Sequence, residues 1–305
     1  MRIAIVGSGG VGGYFGGRLA AAGTDVAFLA RGAHLEALRA HGLRIDSPKG
    51  NVHIPRVTAE SDPAAIGPVD VVFFAVKLYD TAGAVAMLPP LVGPDTIVIP
   101  FQNGVESVDT LTKAVGAAHT GGGVSYVSAV ISEPGVIRHT AMDQLIFGEV
   151  DGRRSARLER LSAACQPAGF QSMLSENIIV EIWTKFVRLS VFSGMTAVTR
   201  SPLGVIVNDP ELLEMLKAAV RESAAVARAK GVNVADGLDE NTASAYKALP
   251  PNSKASMLED LERGRRIELP WLSGAVVRLG EELAVPTPTH RFINAVLRPH
   301  VNGRS

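Results

Sequence analysis

Residues 3–12 read Ile-Ala-Ile-Val-Gly-Ser-Gly-Gly-Val-Gly, and this stretch decides the fold of the first half of the chain. Its first four residues are apolar and mostly β-branched, which predicts a short strand buried on both faces. The glycines that come next have the GxGxxG spacing and open a helical pattern. Such a turn presents free backbone N–H groups to the phosphates of a dinucleotide, although a structural glycine turn without a ligand remains the alternative. The candidate cofactor-binding residues of the turn are Gly7, Ser8, Gly9, Gly10, Val11 and Gly12.

Outward from this turn, short apolar runs alternate with helical patterns, which predicts right-handed βαβ units and a parallel sheet. Further strands are predicted at Val26–Leu29, Val69–Val76 and Thr96–Pro100, and helices at Gly10–Ala22 and Gly32–Ala40. From residue 120 on, strand patterns follow one another without helices between them. We expect these strands to extend the sheet in antiparallel fashion. They lie at Gly121–Ile131, Val136–His139 and Leu145–Glu149.

The second half of the chain has helical periodicity, and strand patterns fade after Ser175. The clearest helix is Pro210–Lys230, with Asp209 suited to the N-cap and Gly231 suited to the stop. The predicted fold class is α/β, with a Rossmann-type dinucleotide-binding domain at residues 1–175 and an all-helical domain at residues 176–305. The other predicted helices are Glu176–Val191, Ser253–Glu262, Pro270–Ala284 and Thr287–Leu297.

Composition and charge limit the classes of function. The 305 residues include 30 Lys plus Arg and 30 Asp plus Glu, so the formal net charge is zero. The lack of a basic excess argues against general nucleic-acid binding and against a membrane-surface role. The single cysteine, Cys165, fits a reducing cytoplasm, and no signal peptide or membrane span is visible. We therefore expect a cytoplasmic protein that acts on a small molecule, with a homodimer left open.

Arg31 ends the second predicted strand and bears on the choice of cofactor. It lies about 20 residues beyond the glycine turn, where an NAD enzyme places an acidic residue on the ribose. A cation there suits the 2′-phosphate of NADP. A charge-assisted hydrogen bond of about 1.5–3 kcal/mol corresponds to a preference of roughly tenfold to a hundredfold. The alternative is a solvated surface arginine.

Four residues are candidates for the proton donor and substrate anchors that hydride transfer to a carbonyl requires. Lys77 and Asn103 follow predicted strands at the sheet edge where ligands bind in α/β folds, with a solvated lysine and an ordinary turn as alternatives. Lys185 is a lone lysine in a very apolar helix, where burial would lower its pKa; a surface pair with Glu181 is the alternative. Glu268 precedes a helix, where helix-start electrostatics alone also favour an acid. The seven histidines lack metal-ligand spacing, so no metal site is expected.

Several motifs, taken in order, make the sequence resemble a known family. The chain resembles the ketopantoate reductases, or 2-dehydropantoate 2-reductases, over nearly its whole length. The resemblance rests on the GxGxxG turn, Arg31, Val76-Lys77, Gln102-Asn103-Gly104, Trp183-Thr184-Lys185-Phe186 and Ser256-Met257-Leu258-Glu259-Asp260, followed by Glu268.

The resemblance implies a Rossmann domain joined to a helical domain and an NADPH-dependent oxidoreductase of pantothenate biosynthesis. NADPH would deliver hydride to the C2 carbonyl of 2-dehydropantoate, giving (R)-pantoate. In the family pattern Lys185 donates the proton to the developing alkoxide, and Glu268 helps to hold and polarise the site. Ser256 would bind the substrate carboxylate, Asn103 would touch both cofactor and substrate, and Lys77 would lie in the same pocket.

Two positions depart from the family pattern. Where close members carry asparagines that hydrogen-bond the substrate, this chain has Leu189 and Ser193. Leu189 cannot bond the distal hydroxyl of the substrate, whereas Ser193 keeps a hydroxyl and stays a candidate substrate-binding residue. Three alternatives to a ketopantoate reductase are therefore open. The protein could be a reductase of a 2-oxo acid with a less polar tail, another NAD(P)-dependent hydroxy acid dehydrogenase, or a non-catalytic NADP(H)-binding sensor.

Overall fold

The computed structural model describes residues 1–304, and residue 305 lies outside the described part. The chain forms two compact units, one holding Met1–Gln102 and Glu106–Ile178, the other holding Asn103–Val105 and the chain from Ile179 onward. The strands are β1 (Arg2–Val6), β2 (Asp25–Leu29), β3 (Leu43–Asp46), β4 (Val52–Ile54), β5 (Thr58–Glu60), β6 (Val69–Phe74), β7 (Val92–Pro100), β8 (Gly121–Glu133), β9 (Val136–Glu149) and β10 (Gln171–Leu174). The α-helices are α1 (Gly10–Ala21), α2 (Gly32–His41), α3 (Thr81–Val85), α4 (Ser107–Val115), α5 (Ala156–Cys165), α6 (Ile178–Thr199), α7 (Leu203–Asn208), α8 (Pro210–Ala229), α9 (Leu238–Lys247), α10 (Ser256–Glu262), α11 (Ser273–Glu282) and α12 (Pro288–Leu297).

Five strands of the first unit form a parallel sheet in the order β5-β2-β1-β6-β7. β1 has a partner on each edge, since Ile3 is paired with Val26 of β2 and with Val71 of β6. Its residues from Ile3 to Val6 are at most 2% exposed, as the continuous apolar run predicts for a strand buried on both faces. The carboxyl ends of these strands meet at one edge, and the glycine turn follows β1 there.

Helix α1 is packed on two sides, which explains its many glycines. A Cβ at Gly16 would lie 2.7 Å from Ile5 of the parallel sheet, whereas a Cβ at Gly17 would lie 2.7 Å from Ile45 of a second sheet. Core packing leaves no room for such overlaps, so the helix approaches both sheets only where side chains are absent.

The second sheet has the order β10-β9-β3-β4, and β8 pairs with β9 in antiparallel fashion. The prediction that the strands after residue 120 extend the first sheet is therefore wrong. The middle part of these strands covers the opposite side of α1, whereas the start of β8 packs directly on β7, since a Cβ at Gly123 would lie 2.7 Å from Ile99. The segments predicted as two strands around residues 136–149 form the single strand β9. The short strands β3, β4 and β10, which had no strand prediction, complete this sheet.

The second unit is helical, and the predicted fold class is confirmed. Its core is apolar and includes Val187, Val191 and Met195 of α6 together with Leu216 and Val220 of α8, all fully buried. Helix α6 continues past its predicted end at residue 191 because this apolar stripe continues. Within residues 1–304, no helix is long and apolar enough to cross a membrane.

Candidate active site

The glycine turn between β1 and α1 leaves space beside its middle glycine. Gly7 has a φ of +101°, and a Cβ there would lie 2.6 Å from the backbone nitrogen of Val76. A Cβ at Gly12 would lie 2.3 Å from the Gly7 carbonyl oxygen, so the fold itself requires both glycines. A Cβ at Gly9 would meet no atom within 4 Å. This open space at the start of a helix fits a dinucleotide pyrophosphate, which approaches the backbone at the middle glycine.

Two side chains hold this turn in place. The Ser8 hydroxyl is buried and donates to the Leu29 carbonyl oxygen at 2.7 Å. The Gly135 N–H donates to Nδ1 of His34 at 3.0 Å, so Nε2 carries the proton and donates to the Ser8 carbonyl oxygen at 3.0 Å. Burial lowers the pKa of His34 and favours this neutral ring, while the bond to Ser8 opposes the shift. His34 was not singled out from the sequence, because bonds between distant segments leave no local pattern.

Arg31 lies directly beyond the carboxyl end of β2. It is exposed and occupies the N-cap position of α2, without a side-chain capping bond. Its guanidinium has no hydrogen bond or ion pair to any residue in the described part of the chain. The charge is therefore accessible to a ligand bound over the ends of the first two strands.

Gln102 connects the ends of β6 and β7. Its side-chain amide donates to the Val76 carbonyl oxygen and to the Thr81 hydroxyl, both at 2.9 Å, and its Oε1 accepts from the Ser107 hydroxyl at 2.9 Å. Lys77 is exposed and begins the turn that these bonds hold. Gln102 thus stabilises the turns at the same sheet edge as the glycine turn.

Asn103 joins Lys185 to Glu268 within the second unit. The Lys185 ammonium donates to Asn103 Oδ1 at 3.1 Å, and Asn103 Nδ2 donates to Glu268 Oε2 at 3.1 Å. The amide orientation follows from the charges, because the reverse orientation would place its NH₂ group against the ammonium. Val105 packs against the apolar core of the second unit and so anchors this segment. The structure therefore brings three of the predicted site residues together.

Lys185 is more acidic than an ordinary lysine. Burial lowers its pKa to about 8, and the attraction of the nearby Glu268 carboxylate opposes part of this shift. Glu268 is 6% exposed, so water screens this attraction weakly. An amine of this kind is mostly protonated at neutral pH and releases its proton readily, which suits a general acid.

The face of α6 around Lys185 is partly open. Lys185, Arg188 and Leu189 are half-buried, whereas Val187 and Val191 on the other side of the helix are fully buried. Arg188 lies one helical turn beyond Lys185, and its guanidinium has no hydrogen bond or ion pair among residues 1–304. Sequence reasoning did not single it out, since one arginine among many carries no signal of its surroundings.

The two predicted substrate-binding serines differ in their surroundings. Ser193 is 1% exposed, and its Oγ has no hydrogen-bond partner within the described residues. Ser256 is exposed and is the first residue of α10. Neither serine is hydrogen-bonded to Lys185, Asn103 or Glu268 in residues 1–304. Among residues 1–304, neither hydroxyl therefore takes part in the hydrogen bonds that link Lys185, Asn103 and Glu268.

Comparison with known proteins gives one family for both halves of the chain. The model of ketopantoate reductase PanE/ApbA matches residues 3–152, and the model of its C terminal part matches residues 177–301. The 2-dehydropantoate 2-reductase of Mesorhizobium japonicum is 34% identical over 98% of this chain and 97% of that protein. A PanE/ApbA family ketopantoate reductase from Ralstonia eutropha JMP134 has a crystal structure that is similar with a TM-score of 0.90, at 32% identity over 98% of each chain. D-mandelate dehydrogenase with NADH and anilino(oxo)acetate shares the fold, with a TM-score of 0.88 and 21% identity over 98% of each chain.

Proposed function

This chain belongs to the ketopantoate reductase family, and we propose that it reduces 2-dehydropantoate to (R)-pantoate with NADPH. The observation that carries the proposal is the hydrogen-bonded series of Lys185, Asn103 and Glu268. It supplies a proton donor with a lowered pKa and two groups that orient it.

The chemistry needs one hydride and one proton. A bound reduced nicotinamide supplies the hydride for the carbonyl carbon. Lys185 gives its proton to the carbonyl oxygen as that oxygen becomes an alkoxide, so the product is an alcohol and the amine is left neutral. Asn103 Oδ1 accepts a hydrogen bond from the ammonium and so orients its remaining N–H groups. Glu268 fixes the Asn103 amide and favours the charged state of Lys185 before the transfer.

The cofactor assignment rests on two features of the first unit. The space beside Gly9 would admit the pyrophosphate. The guanidinium of Arg31, which has no partner among residues 1–304, lies past β2, where the ribose of a dinucleotide is bound in this fold. A cation at that place supports NADPH over NADH, because the 2′-phosphate of NADPH would be its partner.

A second candidate substrate follows from Leu189. Leu189, one turn beyond Lys185, cannot hydrogen-bond the distal hydroxyl of 2-dehydropantoate. A 2-oxo acid that lacks this hydroxyl would therefore lose no hydrogen bond at this position. The NADP(H)-binding sensor remains the non-catalytic alternative, and it predicts binding without turnover.

The test is oxidation of NADPH by the full-length protein with 2-dehydropantoate and with an apolar 2-oxo acid of similar size. We expect turnover with 2-dehydropantoate at the higher kcat/KM. The Lys185→Met variant should lose about 10²–10⁴-fold in kcat while its Kd for NADPH stays the same. Lys230→Met, at an exposed lysine after α8, is the control for loss of a lysine.

The outcomes separate the candidates. Preference for the apolar acid would transfer the proposal to that substrate class. NADPH binding without reduction of either acid would support the sensor. Retained turnover in Lys185→Met would remove lysine as the proton donor.

A further inference from the structure

The second unit contains a small basic pocket that shares no residue with the candidate active site. Its volume is about 50 Å³, which is more than one water molecule needs. Three separate segments of the chain form it: the end of α6, the turn after α10 and the C-terminal segment after α12. The residues that line it include Arg200, Arg265, His300, Arg304, Gly264 and Gly303.

Backbone contacts fix the two turns that border this basic pocket. The Arg304 N–H donates to the Gly264 carbonyl oxygen at 2.9 Å, and the Ile267 N–H donates to the Val301 carbonyl oxygen at 3.0 Å. A Cβ at Gly303 would lie 2.5 Å from that same Gly264 oxygen, so the two turns touch at a distance that only glycine allows. The segment that carries Arg304 is thus fastened to the turn that carries Arg265.

Most of the basic side chains that line the basic pocket have no acidic partner among residues 1–304. Arg200, His300 and Arg304 have no side-chain hydrogen bond or ion pair within residues 1–304. Arg265 has one acidic neighbour, Asp260, with 3.9 Å between Nη1 and Oδ1. Three arginines therefore line the cavity, and among residues 1–304 only Arg265 of the three has an acidic partner.

The other acids of α10 are already paired elsewhere. Glu259 lies 3.7 Å from Arg263, and Glu262 lies 2.7 Å from Lys254. They leave the excess positive charge of the basic pocket to solvent or to a ligand.

The backbone at Arg200 gives a second, independent observation. Arg200 has a φ of +54°, a left-handed conformation that costs energy for any residue with a Cβ. It follows the last turn of α6, and the next N–H, of Ser201, reaches back to the Thr196 carbonyl oxygen at 3.3 Å. Glycine is the usual residue at such a helix end. Strain of this kind is a reason to look for a function of the side chain that it places.

We propose that the basic pocket binds a phosphate group, either as inorganic phosphate or at the end of a small phosphorylated metabolite. Guanidinium groups match the oxygens of phosphate in pairs, and the cavity has room for a single tetrahedral oxyanion. The basic pocket consists of residues of the second unit, whereas the glycine turn proposed to bind the dinucleotide phosphates lies in the first unit.

The experiment measures the Tm of the full-length protein during titration with inorganic phosphate. NADP is kept saturating so that the glycine turn is filled, and sodium chloride holds the ionic strength constant. We expect a saturable rise in Tm for the natural protein. Arg304→Gln should raise the half-saturating phosphate concentration roughly tenfold or more, as the loss of a charge-assisted hydrogen bond predicts.

Arg200→Gly makes the test sharper, because its two effects have opposite signs. Glycine relieves the positive φ, so the Tm without phosphate should rise, while the response to phosphate should shrink. Arg298→Gln, at an exposed arginine that does not line the basic pocket, should keep the natural response.

Two results would overturn the proposal. One is a rise in Tm that chloride at equal ionic strength reproduces, and the other is an unchanged phosphate response in both pocket variants. If the site exists, titration with glycerol phosphate distinguishes its ligand. Tighter binding than inorganic phosphate indicates a phosphorylated metabolite, and weaker binding indicates phosphate itself.

Discussion

At Lys185, two opposing influences set how readily the side chain releases a proton. Burial disfavours the charged amine, whereas the carboxylate of Glu268 favours it, and the result is a pKa of about 8. Asn103 lies between the two charged groups and keeps the ammonium oriented without neutralising it. A lysine in this situation is charged at neutral pH and yet close to losing its proton.

The pH profile of the reaction should follow this pKa. In the proposed mechanism carbonyl reduction needs the Lys185 ammonium, so its rate should fall as pH rises through about 8. The reverse oxidation needs the neutral amine and should rise over the same range. Lys185→Arg stays protonated throughout, so its slower reaction should lose this inflection. Steady-state rates in both directions provide the measurement, and a shared inflection in variant and natural protein would contradict it.

Arg31 should set the choice between the two nicotinamide cofactors. Arg31→Gln removes the charge and leaves a shorter polar side chain. We expect kcat/KM for NADPH to fall roughly tenfold to a hundredfold, with that for NADH unchanged. Measuring both cofactors in one preparation makes NADH the internal control. An equal fall for both would show that Arg31 supports the fold and does not read the 2′-phosphate.

Individual site residues could be read from the sequence only in part. Lys185 is conspicuous as a lone lysine in an apolar helix, but its link to Asn103 spans 82 positions and the next link, to Glu268, spans 165. No local periodicity encodes such distances. The resemblance to the family supplied these partners, whereas Arg188 and His34, which that resemblance did not cover, were found only through their surroundings.

At the scale of the element, the glycines of the first turn and helix have different reasons to be there. Gly9 borders open space, whereas a Cβ at Gly10 would lie 1.9 Å from the carbonyl oxygen of Ala129 on β8. One glycine is therefore available for a ligand and the other is needed for contact between α1 and the second sheet.

A matched pair of substitutions should separate these roles. Gly9 has a φ of −77°, which alanine adopts freely, so Gly9→Ala should leave the Tm of the free protein unchanged. Its methyl group would occupy the space of the pyrophosphate and weaken the Kd for NADPH by about tenfold or more. Gly10→Ala should instead destabilise the fold by about 1–3 kcal/mol, because the backbone must move. Thermal unfolding and cofactor titration of both variants give the answer; equal effects on Tm would refute the distinction.

Element prediction succeeded where the pattern is local and long. The strand, turn and helix of residues 2–21 and the capped helix α8 match their predictions closely. The assignment of β8 and β9 to the first sheet was wrong because the hydrophobic pattern of a strand does not indicate which strand it pairs with. That choice depends on α1, whose side-by-side glycines admit a sheet on each side. Strands β3 and β4, of four and three residues, are too short to show an alternation.

For the molecule as a whole, a buried histidine should govern stability in weak acid. His290 is fully buried, and its Nε2 lies 2.7 Å from Oγ of Ser223 and 3.1 Å from the Ala219 carbonyl oxygen. Burial lowers its pKa to about 4, while the carboxylate of Glu222 and the bond to Ala219 oppose the shift.

Between pH 4 and the ordinary histidine pKa of 6.5, the unfolded chain should therefore bind more protons than the native chain. As pH falls from about 6.5 to 4, the free energy of unfolding should fall by about 3 kcal/mol on account of this group. His290→Gln should be less stable at neutral pH but should show a flatter dependence over that range. Urea unfolding at several pH values is the measurement, with Glu222→Gln to separate the neighbouring carboxylate. Parallel curves for natural and His290→Gln proteins would refute the prediction.

The three residues Asn103–Val105 limit how the genes of related enzymes can recombine. They are encoded within the gene segment of the first unit, yet they belong to the second unit, where Asn103 meets Lys185 and Glu268. A chimera that joins the first part of this protein to the helical part of a relative would combine an amide from one parent with a lysine and a carboxylate from the other. A chimera stays active only if the Asn103 amide of one parent still hydrogen-bonds the lysine and the carboxylate of the other. This requirement limits how far the two parts of the sequence can diverge independently.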